Sequence, residues 1–168
     1  IISIPSITHL AGSALVVGSS NISTSLDRVY PQARTSLLGS VSQGVGISLL
    51  EYNEGRRHYP SMHLLSKIYG AGFYTDKRPE RAFQLSKLAE QGGYQPASSE
   101  YAYFRVVGLG TEPDPEEASS IYHELFDEHG DEYAHQVAWM QLRGIGVDRN
   151  PELAIRNFEA ALKTKVPV

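Results

Sequence analysis

The chain has 168 residues, 41% hydrophobic and 20% charged, with a formal charge of −4 and no cysteine. That balance describes a folded, soluble chain and not a disordered one. It excludes disulfides and thiolate metal sites, and the mild negative charge argues against general nucleic-acid binding, which comes with a basic face.

Residues 1–26 contain no Asp, Glu, Lys or Arg. A spanning helix needs about 20 mostly apolar residues, and here Pro5, His9 and many Ser and Gly residues interrupt the run. Residues 1–32 therefore read as an apolar segment that is irregular or partner-bound, with membrane association through 1–26 a lesser expectation. No basic lead-in marks it as a targeting segment. The sequon Asn21-Ile22-Ser23 has meaning only in a secreted chain. A sequence that begins at Ile1 reads as processed or as a fragment.

Residues 33–58 read as a degenerate terminal repeat or capping helix. Ala33, Leu37, Val41, Gly44 and Gly46 resemble a helix ending in Gly-x-Gly, but only eight residues then separate Gly46 from Gly55. The favoured alternative is one helix over 33–54, in which Ser40 and Gly44 let another helix approach closely.

From residue 59 the chain repeats itself. The tetrad Pro-Glu-x-Ala occurs at Pro79, Pro115 and Pro151, at intervals of 36 residues. Each reads as a helix start, with Pro in the first turn and Glu suiting the helix dipole. Asp114 and Asn150 precede two of the prolines as caps, whereas Arg78 is a poor one. Helical spacing continues through Ala82, Leu85, Leu88 and Ala89; Ala118, Ile121, Tyr122, Leu125 and Phe126; and Ala154, Phe158, Ala161 and Leu162. These helices are predicted over 79–91, 115–129 and 151–163, with Gly92 and Gly130 as stops and Gly55 as an earlier copy.

A second helix precedes each tetrad, over about 60–69, 97–107 and 133–143, and ends in Gly-x-Gly at Gly70, Gly108 and Gly144. Its apolar residues are Leu64, Leu65, Ile68 and Tyr69; Tyr101, Phe104 and Val107; and Val137, Met140 and Leu142. Gly70 lies nine residues before its proline and the other two lie seven before theirs, so Phe73–Lys77 is expected to bulge.

Gly144-Ile145-Gly146-Val147 with Ala154, Phe158 and Ala161, and Leu65-Ser66-Lys67-Ile68-Tyr69 with Gly72, Ala82 and Ala89-Glu90-Gln91-Gly92, resemble the Sel1-like repeat, a relative of the tetratricopeptide repeat. The resemblance covers about residues 59–163, in three repeats of about 59–94, 95–132 and 133–165. The second copy departs most, at Thr111-Glu112-Pro113. The resemblance implies an all-α, right-handed α-α superhelix acting as an adaptor between proteins, with known roles in ER-associated degradation and in bacterial envelope or secretion complexes.

Little in the chain points to chemistry. The Gly-x-Gly pairs follow helices, and no Gly-Lys-Ser/Thr follows them, so they read as turns and not phosphate cradles. His123 and His129 are six residues apart, where a zinc pair on one helix needs three or four. No nucleophile elbow is present. Neither a catalytic residue, a metal nor a cofactor is therefore expected.

The expected partners are other proteins. Nine carboxylates lie between Glu112 and Glu132, and no Lys or Arg occurs between Arg105 and Arg143. Glu116, Glu117, Asp127 and Glu128 are the candidates there for docking a basic segment. Lys67, Arg105 and Gln141 each precede the first glycine of a Gly-x-Gly by three residues and are expected to form a polar ladder on a concave face, with Trp139 as an anchor. The function expected is a non-catalytic scaffold, an accessory subunit of an organellar or membrane-associated assembly. The rivals are an ER quality-control adaptor and an enzyme or regulator with a site on the concave face.

Overall fold

The computed structural model describes residues 29–37 and 43–165. The expectations for residues 1–26, for the sequon at Asn21 and for Ser40 lie outside them. The described residues form helices joined by turns, with no strand among them. By packing the chain falls into two compact units, Ile1–Leu65 and Ser66–Val168.

In the first unit, helix α1 covers 29–37 and α2 covers Gln43–Glu54. A single helix over 33–54 is not what forms. A Cβ on Gly46 would lie 2.9 Å from Leu37 Cγ and 3.0 Å from the Ala33 carbonyl oxygen. In one helix, residues 37 and 46 would be about 13 Å apart along the axis. The two helices therefore lie against each other, and Gly46, not Gly44, is where they meet. After α2 the left-handed residue is Arg57, with φ 58°, and not Gly55. Buried Asn53 donates from Nδ2 to Ser61 Oγ at 3.1 Å, and Ser61 Oγ lies 2.8 Å from His58 Nδ1. This knot fixes the entry to α3, Tyr59–Ala71, the helix within which the unit boundary falls.

The second unit continues with α4 Pro79–Gln91, α5 Gln95–Val107, α6 Pro115–His129, α7 Ala134–Arg143 and α8 Pro151–Lys165, with a 3-10 turn at Gly130–Glu132. From α4 to α8 each helix packs on the next. The tetrad helices start where the prolines place them. Asp114 and Asn150 accept from the amides of Glu117 and Leu153 at 3.0 Å, and Arg78 caps with no side-chain bond.

The buried residues keep the same 36-residue interval. Ser66, Ala102 and Ala138 are buried, as are Ile68, Phe104 and Met140; Ala82, Ala118 and Ala154; and Ala89, Leu125 and Ala161. Between the second and third repeats one core joins Ala102, Ala118, Tyr122, Leu125, Tyr133, Val137 and Met140, so neighbouring copies complete each other's interior. Three residues expected inside lie outside. Leu88 and Leu162 are exposed, and in α4 Ser86 takes the buried place; Val107 is exposed as well. The stripe on each helix is narrower than the apolar pattern suggested, because small Ala and Ser residues sit at the tightest contacts.

The turns correct the expected register of the first repeat. Gly72, Gly108 and Gly144 all have φ near +70°, and their amides donate to the carbonyls of Ile68, Phe104 and Met140. The amides of Arg78, Asp114 and Asn150 then donate to the carbonyls of Tyr69, Arg105 and Gln141 at 2.9, 2.8 and 2.8 Å. Gly72-Phe73-Tyr74, not Gly70-Ala71-Gly72, is therefore the equivalent turn, and no residues are inserted. The expected bulge over 73–77 comes from the wrong glycine pair. Tyr74, with φ 64°, stands where the later copies have Gly110 and Gly146. Likewise the left-handed residue after α4 is Gly93 and not Gly92.

The second glycine of the later turns has a physical reason. A Cβ on Gly110 would lie 2.0 Å from the Pro79 carbonyl oxygen, and one on Gly146 would lie 1.9 Å from that of Pro115. Each glycine thus seats the first turn of the preceding tetrad helix. Backbone against backbone leaves no room for a side chain.

Candidate protein-binding face

The corrected register dissolves the expected polar ladder. Arg105 and Gln141 are equivalent, but their counterpart in the first repeat is Tyr69, and Lys67 is an exposed residue two positions earlier. Nor are the two polar members free to bind. Arg105 pairs through Nη2 with Asp114 at 2.7 Å and through Nε with Glu117, and donates from Nη1 to Thr111 Oγ1 and the Glu112 carbonyl at 3.2 Å. Glu117 also accepts from the Tyr101 hydroxyl at 3.0 Å, and the Tyr101 ring stacks on Phe83. Burial, and then the bond to Glu117, hold the Tyr101 phenol up to about 12. Gln141 is buried and accepts from Asn157 Nδ2 at 2.9 Å.

The acidic stretch is divided by the same network. Asp114 and Glu117 are taken by Arg105, whereas Glu112, Glu116, Glu124, Asp127, Glu128, Asp131 and Glu132 are exposed. Of the candidates for docking a basic segment, Glu116, Asp127 and Glu128 therefore face water and Glu117 is committed within the chain. Charge still accumulates there. Burial, then the carboxylates of Glu117 and Glu124, raise the Glu90 carboxyl above its usual range.

Trp139 is the expected anchor that faces outward, at 39% exposure. It does not stand alone. Tyr103, 36 residues earlier and 52% exposed, holds the same place on α5. The two rings rim a groove of about 240 Å³ whose other walls include Val106, Val107, Tyr122, His135, Gln136 and Met140. Helical spacing produces this: residues 103, 106 and 107 share one face of α5, and 135, 136, 139 and 140 share one face of α7. Tyr122 comes from α6 and is pinned by its hydroxyl, which donates to the Ser99 carbonyl at 3.0 Å. Gln136 Oε1 is buried and accepts no hydrogen bond. No local pattern marks Tyr103 in the sequence, and only the 36-residue interval back from Trp139 singles it out.

His123 Nδ1 lies 2.8 Å from the Ser119 carbonyl, and His129 lies 3.6 Å from Glu128 and tilts against Tyr133. The described residues contain no group of three or more acidic or His side chains placed to hold a metal. The Asn53–Ser61–His58 cluster has the residue types of a hydrolytic triad, but Ser61 is wholly buried, out of reach of a substrate. None of the described helices is long and apolar enough to cross a membrane.

Comparison with known proteins agrees with this architecture. The family description "Sel1 repeat" matches residues 60–94, 96–119 and 132–163. A crystal structure of a Sel1 repeat protein from Oxalobacter formigenes superposes with a TM-score of 0.71 at 15% identity, over 95% of this chain and 64% of that one. The c5321 protective antigen of uropathogenic Escherichia coli, which displays an SLR fold, gives a TM-score of 0.71 at 13% identity, over 94% of this chain and 33% of that one. The chain thus spans less than two thirds of either protein. At these identities the likeness speaks for the fold, an all-α solenoid of the Sel1 type. None of the curated proteins matches the chain by sequence.

Proposed function

The chain belongs to the Sel1 repeat family, whose members generally mediate protein–protein interaction, and from that premise we propose that it is a non-catalytic scaffold serving as an accessory subunit of a multiprotein assembly. The observation that carries this reading is the groove between Tyr103 and Trp139. Two large aromatic residues, exposed on α5 and α7 at the rim of one groove, make a patch of the kind that marks an interaction site, and they are residue types that dominate binding energy at interfaces. Phe73, Tyr74, Ile155 and Leu162 are exposed as well, and what sets Tyr103 and Trp139 apart from them is the apolar groove that they rim together.

The exposed carboxylates from Glu112 to Glu132 favour a partner with a basic segment, through faster encounter more than through tighter binding. The test is affinity isolation from the native host with the intact chain and with a Tyr103→Ala/Trp139→Ala variant. The reading expects a discrete set of proteins retained by the first and lost by the second. Equal retention by both would place the interaction elsewhere and end the claim for this face.

A further inference from the structure

We propose that the Tyr103–Trp139 groove takes a peptide segment presenting one large apolar side chain next to an N–H donor, with Lys or Arg on its flanks; this rests on the scaffold reading above. Three features of the groove specify the three features of its occupant.

The first is size and lining. At about 240 Å³ the groove falls below the ~300–1,000 Å³ of sites that enclose a small molecule. It suits an anchor side chain instead. Val106, Val107, Tyr122 and Met140 make its walls apolar, so a carboxylate inserted between the rings, which brings no N–H donor, would lose hydration without recompense.

The second is the Gln136 amide. Its Oε1 is shut off from water and has no donor, an arrangement that costs stability as long as it persists. Gln136 also lines the groove. Its terminal torsion is soft, so the amide turns toward the groove at little cost. The same turn brings the oxygen to groove water in the free chain, so a partner N–H arriving beside the anchor takes that water's place, and the site selects an occupant with a donor over one that would leave the oxygen dry. An occupant that is apolar throughout gains nothing from this.

The third is charge. The chain between Tyr122 and His135, both of which line the groove, carries Glu124, Asp127, Glu128, Asp131 and Glu132, all exposed, and no Lys or Arg. Arg143, exposed one turn beyond Trp139 on α7, is outnumbered by these five carboxylates, so cationic flanks on the segment are favoured over acidic ones.

The test uses a random-peptide phage library selected on the intact chain. A Trp-free enriched peptide is then synthesised and titrated by calorimetry and by emission from Trp139, the only tryptophan. The expected consensus is one Leu, Met, Phe or Ile with Lys or Arg on either side, and binding shifts the Trp139 emission. Gln136→Leu is expected to weaken binding about tenfold while leaving the melting temperature unchanged or raised, since it removes an unbonded buried acceptor. A merely structural glutamine would lose binding and stability together. Val107→Glu, on the exposed rim, repeats the test without touching the aromatic pair and is expected to abolish binding. If enriched peptides bind the Tyr103→Ala/Trp139→Ala and Val107→Glu variants as well as the parent chain, the proposal fails while the scaffold reading survives on another face. A consensus without an apolar anchor, or with acidic flanks, also overturns it. A library from which nothing is enriched overturns it too, while the scaffold reading is decided separately by the affinity isolation.

Discussion

The turns of the second and third repeats share a backbone and differ in what locks it. In both, a left-handed glycine ends the first helix, and the amide before the tetrad proline returns to the carbonyl of residue 105 or 141. In both, a second glycine seats the preceding helix. The side chain at the lock is another matter. Arg105 joins two carboxylates, a hydroxyl and a carbonyl, whereas Gln141 makes one amide–amide bond to Asn157. The first repeat uses a third chemistry, the Arg78 guanidinium 5.0 Å from the centre of the Tyr69 ring. What the repeat requires is thus backbone geometry, and the side chains around it vary in chemistry.

The strongest way to break this comparison is to fill a seat. Gly146→Ala puts a methyl on the Pro115 carbonyl and strains a left-handed backbone, and it is expected to cost about 3 kcal/mol or more in urea unfolding. Tyr74→Gly, at the equivalent place, is expected to gain about 0.5 kcal/mol, relief of positive φ being partly offset by chain entropy. Equal and small effects at both positions would show that the seat does not hold the repeats together.

That seat also marks where sequence reading stopped. The tetrads place the starts of α4, α6 and α8 correctly because proline and its cap act locally. From sequence the first Gly-x-Gly falls two residues early because Gly70-Ala71-Gly72 imitates the pattern, while nothing in a tyrosine announces a positive φ at Tyr74. The false ladder through Lys67 follows from that slip. At the site, Trp139 was legible as a lone large ring. Tyr103 needed the repeat interval, and the unbonded oxygen of Gln136 depends on packing that no local pattern encodes.

The locks give the next effects. Arg105→Met leaves Asp114 and Glu117 without their cation; both are more than a third exposed, so water screens part of the loss, and about 1–2 kcal/mol is expected. Gln141→Leu removes a neutral bond and is expected to cost about 1 kcal/mol. Repeating the unfolding in about 0.5 M salt should shrink the first loss and leave the second alone. A lock of equal strength and equal salt response in both repeats would contradict the distinction.

Alkaline titration probes the same lock by pH. Tyr101 has its phenol raised from 10.0 to about 12, by burial and then by its bond to Glu117. The unfolded chain therefore releases this proton first, and stability is expected to fall as pH rises from about 10 to about 12. Tyr101→Phe should flatten that part of the profile. A slope unchanged in the variant would assign it to other groups.

A smaller effect concerns helix starts. Arg78→Asp supplies the cap that Asp114 gives to α6, worth about 1 kcal/mol, and loses the contact with Tyr69, worth about 0.5. The net expectation is a gain of about 0.5 kcal/mol in thermal unfolding. A clear loss would show that the Tyr69 lock outweighs the cap.

The central claim is a division between backbone seats that build the array and aromatic rings that face a partner. It is tested most directly by urea unfolding of Tyr103→Ala and Trp139→Ala, each measured alone. Rings that are half exposed and serve a partner should cost about 1 kcal/mol or less apiece, with the cooperativity of unfolding intact. A loss of about 3 kcal/mol or more at either position would make that ring part of the core and contradict the account.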